Sequence, residues 1–460
     1  MRGLVFLVAF IASIPLIFVN PFNGVLVWYV FSLGNFHTVT WGVFGGLYYG
    51  YIIAIATCLS WMLSREKKSI PLTPLSVMTL LFMVWITMTT VAAASAAPDR
   101  VKLAGYDWEI WNQWKTVEKI LFMCLVGYAL TTTRERVDQL IWVVVLAIGA
   151  WGVKGGIWSI LSGGTARIHG PDGTAIGDNN DFGLALILIL PLMFYKWQYT
   201  ENRHIRRGLI VMAILVATAD LFTYSRGALV GLCAMGAVTW LRSRAKLAIG
   251  VLIVTVGLAA YAFAPPQWFN RMQTIETYEQ DSSAMSRIYM WKVGLQIAEE
   301  YPLFGGGFKR TLWPTTVNPF LRGIPPMTVG RDLHSVYFVV LSEHGWIGLV
   351  LFLAIAGCSW INCSWLIRQS RGRSDLLWAN LLGRMGQATL VGYWAAGTFL
   401  SQTYLDEYWC AIFIFDAARR VVSKEIARTA APYATLPMRL RTAQAGIDTF
   451  VLPKPDLRSG

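Results

Sequence analysis

Residues 138–161 read DQLIWVVVLAIGAWGVKGGIWSIL, an apolar run in which Asp138 and Lys154 carry the only charges. A helix needs about 20 such residues to cross about 30 Å of hydrocarbon. Similar runs recur along the 460-residue chain, of which 55% is hydrophobic and 14% is charged. This composition excludes a soluble protein and predicts one all-α, polytopic integral membrane domain.

The other apolar runs place the remaining membrane-spanning helices. The predicted spans lie near 3–19, 22–36, 43–63, 75–97, 116–132, 138–161, 183–199, 208–223, 227–241, 247–264, 335–367, 378–402 and 404–420. The run 22–36 is short and is broken by Gly34 and Asn35, so we expect about 12 spans. The first is expected to be a retained anchor, because no convincing small-residue cleavage site follows it.

Basic residues predict the orientation of these spans. The net charge of +13 is gathered in short clusters in alternate loops, at 65–68, 134–136, 196–207, 242–246, 368–373 and 419–420. The positive-inside rule places these loops in the cytoplasm. The net positive charge is therefore explained by membrane topology, and no nucleic-acid partner is predicted. The intervening loops face the opposite side, which in a bacterial inner membrane is the periplasm. They are 98–115, 162–182, 224–226, 265–333 and 401–407.

Two segments stand outside the spans of the transmembrane domain, which we assign to residues 1–423. The inserted loop 265–333 is expected to be helical, with a short helix at 267–278 and a second that begins after Ser282 and Ser283 and runs to Glu300, because serine caps a helix start and Pro302 ends it. The polar, basic segment 424–460 is expected to be a flexible cytoplasmic tail.

Basic residues on the outer side are the first candidates for chemistry. Arg226 lies between two apolar runs near the outer membrane face, where a cation needs a partner or a wet cavity. Arg287, Arg167, Lys309 and Arg310 are also predicted on that side, against the usual topology. Guanidinium groups bind pyrophosphate in bidentate fashion, so we predict an anionic ligand. Snorkelling to headgroups, or contact with anionic lipid, is the alternative explanation.

Three further features complete the candidate site. Gly305, Gly306 and Gly307 form a glycine run that suits phosphate oxygens, or alternatively is a flexible turn at a helix end. His334 lies where the long loop re-enters the membrane and is a candidate for proton transfer. No metal-ligand spacing occurs on the outer face and the six cysteines lie in apolar segments, so we predict no metal and no cofactor.

In this order and spacing, several motifs resemble the O-antigen ligase and polymerase superfamily. They are Tyr224-Ser225-Arg226-Gly227, Ser286-Arg287 with Trp291, Pro302-Leu303-Phe304-Gly305-x-Gly307, His334-Ser335-x-Tyr337 and Leu341-x-Glu343-x-Gly345-x-x-Gly348. The stretches 35–42 and 177–180 are similar to a subgroup of O-glycosylation ligases associated with exosortase systems.

The resemblance implies a GT-C-like membrane glycosyltransferase with a large periplasmic loop. It implies transfer of a preassembled glycan from undecaprenyl pyrophosphate, by inverting displacement, to a hydroxyl of the lipid A-core. Carried over, Arg226, Arg287 and His334 are catalytic, with His334 either the base or a hydrogen-bond donor to phosphate. Tyr224 and Tyr337 join the substrate-binding residues. The acceptor stays open between lipid A-core, a growing glycan and a protein. A lipid-linked glycan transporter is an alternative of another class, which the absence of an internal repeat disfavours.

Overall fold

The chain is all-helical in the computed structural model, which describes residues 2–36, 48–97, 105–243, 245–263, 265–273, 282–321 and 331–434. Helices make up 81% of the structure and no strand is present in those ranges, which confirms the all-α prediction. The predicted features at 37–42, 274–278 and 435–460 lie outside the described residues.

Ten helices precede the long loop within the described ranges. They are α1 (Arg2–Val19), α2 (Pro21–Gly34), α3 (Tyr49–Leu63), α4 (Pro74–Ala96), α5 (Tyr106–Leu130), α6 (Arg134–Leu161), α7 (Asn179–Tyr199), α8 (Arg203–Leu221), α9 (Arg226–Arg242) and α10 (Lys246–Phe263). The loop and the C-terminal part contribute α11 (Pro266–Gln273), α12 (Ser282–Glu300), α13 (Pro314–Val317), α14 (Val336–Gln369), α15 (Leu377–Gly397) and α16 (Asp406–Ala434). Short 3₁₀ turns lie at Arg310–Leu312, Asn318–Phe320 and Ser374–Leu376.

A helix is present at each predicted span, and four helices in the described ranges are long and apolar enough to cross a membrane. These four are α4, α6, α7 and α14. Shorter apolar helices lie at Gly3–Val19, Pro21–Gly34, Tyr49–Leu63 and Lys246–Thr255. The protein is therefore a multi-pass membrane protein, and the total of about 12 spans stays a prediction.

The loops divide between two ends of the bundle. At one end Arg136 pairs with Glu66 at 2.6 Å, and the Arg420 guanidinium donates to the Tyr128 carbonyl at 2.9 Å. These contacts gather basic loops that the sequence assigns to one side.

At the opposite end, which we call the site end, the segments 162–178, 222–225, 331–335 and 398–405 meet. Asn179 donates to the Thr223 carbonyl at 2.7 Å, and Gln402 donates to the Ala175 carbonyl at 2.8 Å. Thr403 donates to the Val336 carbonyl at 3.1 Å. Four loops distant in sequence are therefore fixed to one another at the site end.

Small residues let the helices behind the site end pack closely. A Cβ on Gly156 of α6 would lie 2.2 Å from the Leu215 carbonyl oxygen of α8, so only glycine permits this approach. A Cβ on Gly231 of α9 would lie 2.8 Å from the Cβ of Ala396 in α15. The pairs α6–α8 and α9–α15 thus pack with their backbones in close contact.

Two helices differ in detail from the prediction. The span predicted as continuous at 335–367 is α14, whose backbone is non-helical at Gly345. The last helix, α16, continues to Ala434, through residues 424–434, which are mostly good helix formers. The helix predicted to begin after Ser282 and Ser283 is confirmed as α12, which begins at Ser282 itself.

Candidate active site

Arg226 is the first residue of α9, and the preceding turn fixes its position. Ser225 caps the helix by accepting a hydrogen bond from the Ala228 amide at 3.1 Å, while Tyr224 has the left-handed φ of 57° that reverses the chain. The start of a helix carries partial positive charge. A guanidinium there adds to the positive potential, so this position attracts an anion.

Arg287 is brought to the same place by α12. Met290, Val293 and Ile297 of that helix are fully buried in one cluster with Leu333 and Val339. Through these side chains α12 packs against the start of α14. The buried residues begin about one helical turn after Arg287. The buried apolar side chains of α12 therefore fix the helix so that Arg287 lies beside α9.

The two arginines line one shared groove with a volume of about 340 Å³. Its remaining lining is largely apolar and comprises Gly227, Val230, Ala284, Ile288, Trp291 and Phe399. Trp291 is fixed because its ring stacks on Phe338 at 5.3 Å and its indole N–H donates to the Leu333 carbonyl at 2.9 Å. The groove thus presents two guanidinium groups at the edge of an apolar channel.

His334 and Lys309 line a second, polar cavity of about 500 Å³. Other polar groups on its wall are Gln113, Thr116, Asp178, Asn180, Asp181, Thr311, Asp332, Glu343, Ser401, Gln402 and Tyr404. His334 has a left-handed φ of 47°, and its amide donates to the Ser401 hydroxyl at 2.8 Å. The segment 399–402 separates the two spaces, since Phe399 lines the groove and the next three residues line the polar cavity.

The pKa of His334 is lowered from its ordinary value. Burial is the main cause because it disfavours the charged imidazolium, and the positive charge of Arg287 lowers the pKa further. Asp332 and Asp178 act in the opposite direction. His334 is therefore neutral, and able to accept a proton, over a wider pH range than a free histidine. Arg287 lines the groove and His334 lines the polar cavity, so the positive charge on one space acts on the histidine of the other.

A buried hydrogen-bond chain behind the polar cavity was missed in the sequence. The Glu343 carboxylate accepts from the Lys309 amide at 3.0 Å and from the Tyr404 hydroxyl at 2.9 Å. The Tyr404 hydroxyl also meets His344 Nε2 at 2.7 Å, and His344 Nδ1 meets the Thr89 hydroxyl at 2.7 Å. Glu343 was visible only as part of a motif, and nothing in the sequence pairs it with Tyr404.

The glycine run and the break in α14 interlock. The break at Gly345 frees carbonyls in α14, and the Gly306 and Gly307 amides donate to the Ser342 and Glu343 carbonyls at 2.7 and 3.0 Å. The Gly305 amide donates to the Tyr301 carbonyl at 2.8 Å. Because these amides already have backbone acceptors, the geometry favours a turn for the run. The amides of Gly305, Gly306 and Gly307 therefore donate to backbone carbonyls and leave no donor for a phosphate.

Replacement of Gly345 by alanine is expected to destabilise the protein strongly. Its φ is 69°, and an added Cβ would lie 2.1 Å from the Leu303 carbonyl oxygen. Left-handed strain and forced overlap together predict a cost of about 2–5 kcal/mol. The matched control is Gly173→Ala, at φ 73° with nothing within 4 Å of the new Cβ. Thermal unfolding of the detergent-solubilised variants at one scan rate checks this. Equal melting temperatures for the two variants would contradict the interlock.

The remaining predicted binding residues do not line either space. The exposed Arg167 lies 6.0 Å from the ring of Tyr224, whose hydroxyl donates to the Gly164 carbonyl. Arg310 packs on the rings of Tyr301 and Phe320, at 4.8 and 5.3 Å. The Tyr337 hydroxyl donates to the Trp394 carbonyl at 3.1 Å. In the structure these side chains support the loops around the site.

No group of three or more His, Cys, Asp or Glu side chains suited to hold a metal is found in the part of the chain that the structure describes. The two guanidinium groups are the positive charges on the groove. Metal independence stays a prediction.

Comparison with known protein families divides the chain into two parts. Residues 211–353 match the family described as O-antigen ligase, and residues 1–201 match a family of unknown function (DUF5935). The chain carries an O-antigen ligase domain. The superfamily predicted from the motifs is thereby confirmed. A search of curated proteins finds no match.

The O-antigen ligase match contains both arginines of the groove and the His334 and Glu343 side chains of the polar cavity. The match supports an enzyme of the glycosyltransferase type, and together with the apolar helices it supports a membrane protein of lipopolysaccharide biosynthesis. A function of the ligase or polymerase type is therefore supported.

Proposed function

We propose that the chain is an inner-membrane O-antigen ligase with its site end in the periplasm. It transfers a preassembled glycan from undecaprenyl pyrophosphate to a hydroxyl of the lipid A-core oligosaccharide. The single observation that carries the proposal is the shared groove, in which Arg226 and Arg287 stand at the edge of an apolar channel beside a polar cavity. That arrangement fits a donor with a polyprenyl tail, a diphosphate and a sugar.

The distribution of charge supports a division of labour between the two spaces. The groove carries two guanidinium groups and no carboxylate, whereas the polar cavity carries the carboxyl groups of Asp178, Asp181, Asp332 and Glu343. A diphosphate is attracted more strongly to the groove than to the cavity, where Lys309 is outnumbered by carboxyl groups. Sugar hydroxyls form hydrogen bonds with carboxyl and amide groups, so the cavity suits the glycans that react.

The transfer is a displacement at the anomeric carbon with inversion. The acceptor oxygen forms the new glycosidic bond while the bond from that carbon to the phosphate oxygen breaks. The hydroxyl proton passes to neutral His334, and the electron pair of the broken bond leaves with undecaprenyl pyrophosphate. Arg226 and Arg287 stabilise the negative charge that develops there. No nucleotide and no metal enters this step.

The decisive experiment is transfer by the purified protein in detergent, with lipid-linked glycan as donor. Lipid A-core and a candidate protein are offered side by side, and products are separated by gel and mass. The expected product is glycan on lipid A-core. Chain extension on a second lipid-linked glycan would instead identify a polymerase, and a mass shift on the protein an O-oligosaccharyltransferase. Movement of donor between leaflets without a new glycosidic bond would identify a transporter.

Metal removal is expected to leave the transfer rate unchanged, because the groove supplies its positive charge from arginine side chains. The measurement is the same assay with excess EDTA, compared with an untreated sample and with one given Mg²⁺ afterwards. A rate that is lost with EDTA and restored by a divalent cation would overturn metal independence.

A further inference from the structure

A third cavity, of about 300 Å³, lies in the N-terminal part of the bundle. Five aromatic residues line it, namely Trp28, Phe31, Tyr48, Tyr49 and Tyr51. Its polar lining consists of Ser32, Asn35, Thr116 and Lys119. We call this space the aromatic cavity.

The aromatic cavity adjoins the polar cavity across α5. Thr116 and Ile120, one turn apart on that helix, line both spaces. An extended ligand whose reacting end lies near His334 can therefore reach the aromatic cavity by passing one face of α5. Adjacency to the polar cavity, through these two shared lining residues, distinguishes this cavity from an isolated gap in packing.

The lining has the chemistry that a carbohydrate requires. The C–H faces of a sugar ring pack on aromatic rings, and its hydroxyls need polar groups at the ring edges. Lys119 lies 4.7 Å from the centre of the Tyr51 ring, which holds a donor beside an aromatic face. The Ser32 hydroxyl is oriented by its hydrogen bond to Asp406. Polar side chains set among five aromatic rings favour a sugar over an acyl chain, because an acyl chain offers no hydrogen-bonding groups to them.

The family comparison assigns the whole aromatic cavity to the N-terminal part of the chain. All its lining residues fall within residues 1–201, the part that matches a family of unknown function. Both groove arginines fall within the O-antigen ligase match. The polar cavity between them draws on both parts, with Thr116 from the first and His334 from the second. The two family regions thus contribute different walls of three neighbouring spaces.

We infer that the aromatic cavity is a carbohydrate subsite that holds a sugar unit remote from the bond being made, and that the N-terminal region thereby selects the glycan. This inference rests on the proposed function, because it assumes that glycans occupy the adjoining polar cavity. The glycan is the donor's or the acceptor's, and the test distinguishes the two.

The test varies Tyr51, whose side chain is 39% exposed and whose loss leaves the core intact. Tyr51→Leu keeps apolar bulk but removes the flat ring, and it is expected to raise KM for one glycan substrate about tenfold while kcat changes much less. Tyr51→Phe keeps the ring and is expected to be closer to the wild type. KM is measured separately for lipid-linked donor and for acceptor, and the substrate whose KM rises identifies the occupant.

Tyr261→Leu is the matched control, since Tyr261 is an exposed tyrosine, 69% accessible, on α10 away from this cavity. Unchanged KM for both substrates in Tyr51→Leu, or equal loss in Tyr51→Phe, would overturn the inference. So would equal effects of Tyr51→Leu and Tyr261→Leu, which would indicate a membrane-interface role for both rings.

A binding experiment separates this inference from the proposed function. The oligosaccharides released from donor and acceptor lipids are each mixed with the purified protein, and saturation-transfer NMR reports which sugar protons lie against protein. Signal that is present with the wild type and lost with Tyr51→Leu supports the subsite even if no transfer is found. Absence of signal with the wild type, or equal signal with both proteins, removes the subsite.

Discussion

Arg226→Ala and Arg287→Ala are each expected to lower the transfer rate about 10²–10³-fold, the usual cost of removing one charge-stabilising donor from a reaction centre. Both guanidinium groups line the same groove, so each loss leaves developing pyrophosphate charge less stabilised. The Arg→Lys variants keep the positive charge but lose bidentate geometry, so they are expected to recover part of the rate. The measurement is initial rate with purified protein and lipid-linked glycan at matched protein amounts.

Arg242→Ala provides the control for these variants. Arg242 ends α9, the helix that Arg226 begins, and its guanidinium packs on the Trp360 ring at 5.0 Å. The same chemical change at the far end of one helix is expected to leave transfer intact. Wild-type rates in both Arg226→Ala and Arg287→Ala would remove the groove from the mechanism, and an equal loss in Arg242→Ala would indicate a general effect of removing arginine.

The sequence predicts the helices well because the lipid environment restricts the choices. A backbone in hydrocarbon must satisfy its own hydrogen bonds, so a long apolar run such as 138–161 has few alternatives to a helix. The same physics predicts a functional role for Arg226 and Arg287, because a cation near hydrocarbon needs a partner or a water-filled cavity. The structure brings both to one groove.

Side-chain direction was beyond the sequence. Lys309 and Arg310 follow the same glycine run, yet Lys309 lines the polar cavity while Arg310 packs on Tyr301 and Phe320. Their directions depend on the left-handed φ of 57° at Lys309, whose amide is held by Glu343. The hydrogen bond joins positions 34 residues apart, so it depends on the tertiary structure and no local sequence pattern predicts it.

The break in α14 was missed for a similar reason. Gly345 is one of 41 glycines, and its motif alone does not say that the helix opens there. The break is stable because the segment 302–307 supplies partners for the freed groups, including the Pro302 carbonyl that accepts from the Trp346 amide at 2.9 Å. The same interlock puts Glu343 on the polar cavity, so the helix defect is a part of the site.

His334→Asn is expected to lower the transfer rate about 10²–10⁴-fold, the typical contribution of general base catalysis. Asparagine suits this test because it tolerates the left-handed φ of 47° at this position and preserves the fold there, but it accepts no proton at neutral pH. The amount of folded variant is checked by gel filtration in detergent. A rate close to that of the wild type would exclude His334 as the base.

The pH profile distinguishes a base from a phosphate ligand at His334. A base must be neutral, and because burial and Arg287 lower the pKa of His334, the rate is expected to stay level as pH falls to the usual histidine pKa and to drop only below it. A protonated phosphate ligand would give the reverse, with activity lost as pH rises. Asp332→Asn removes a charge that raises the pKa of His334, so the acid limb of the base profile moves to still lower pH. If the acid limb of the rate profile stays at the same pH in Asp332→Asn, or moves to higher pH, a group other than His334 controls the rate.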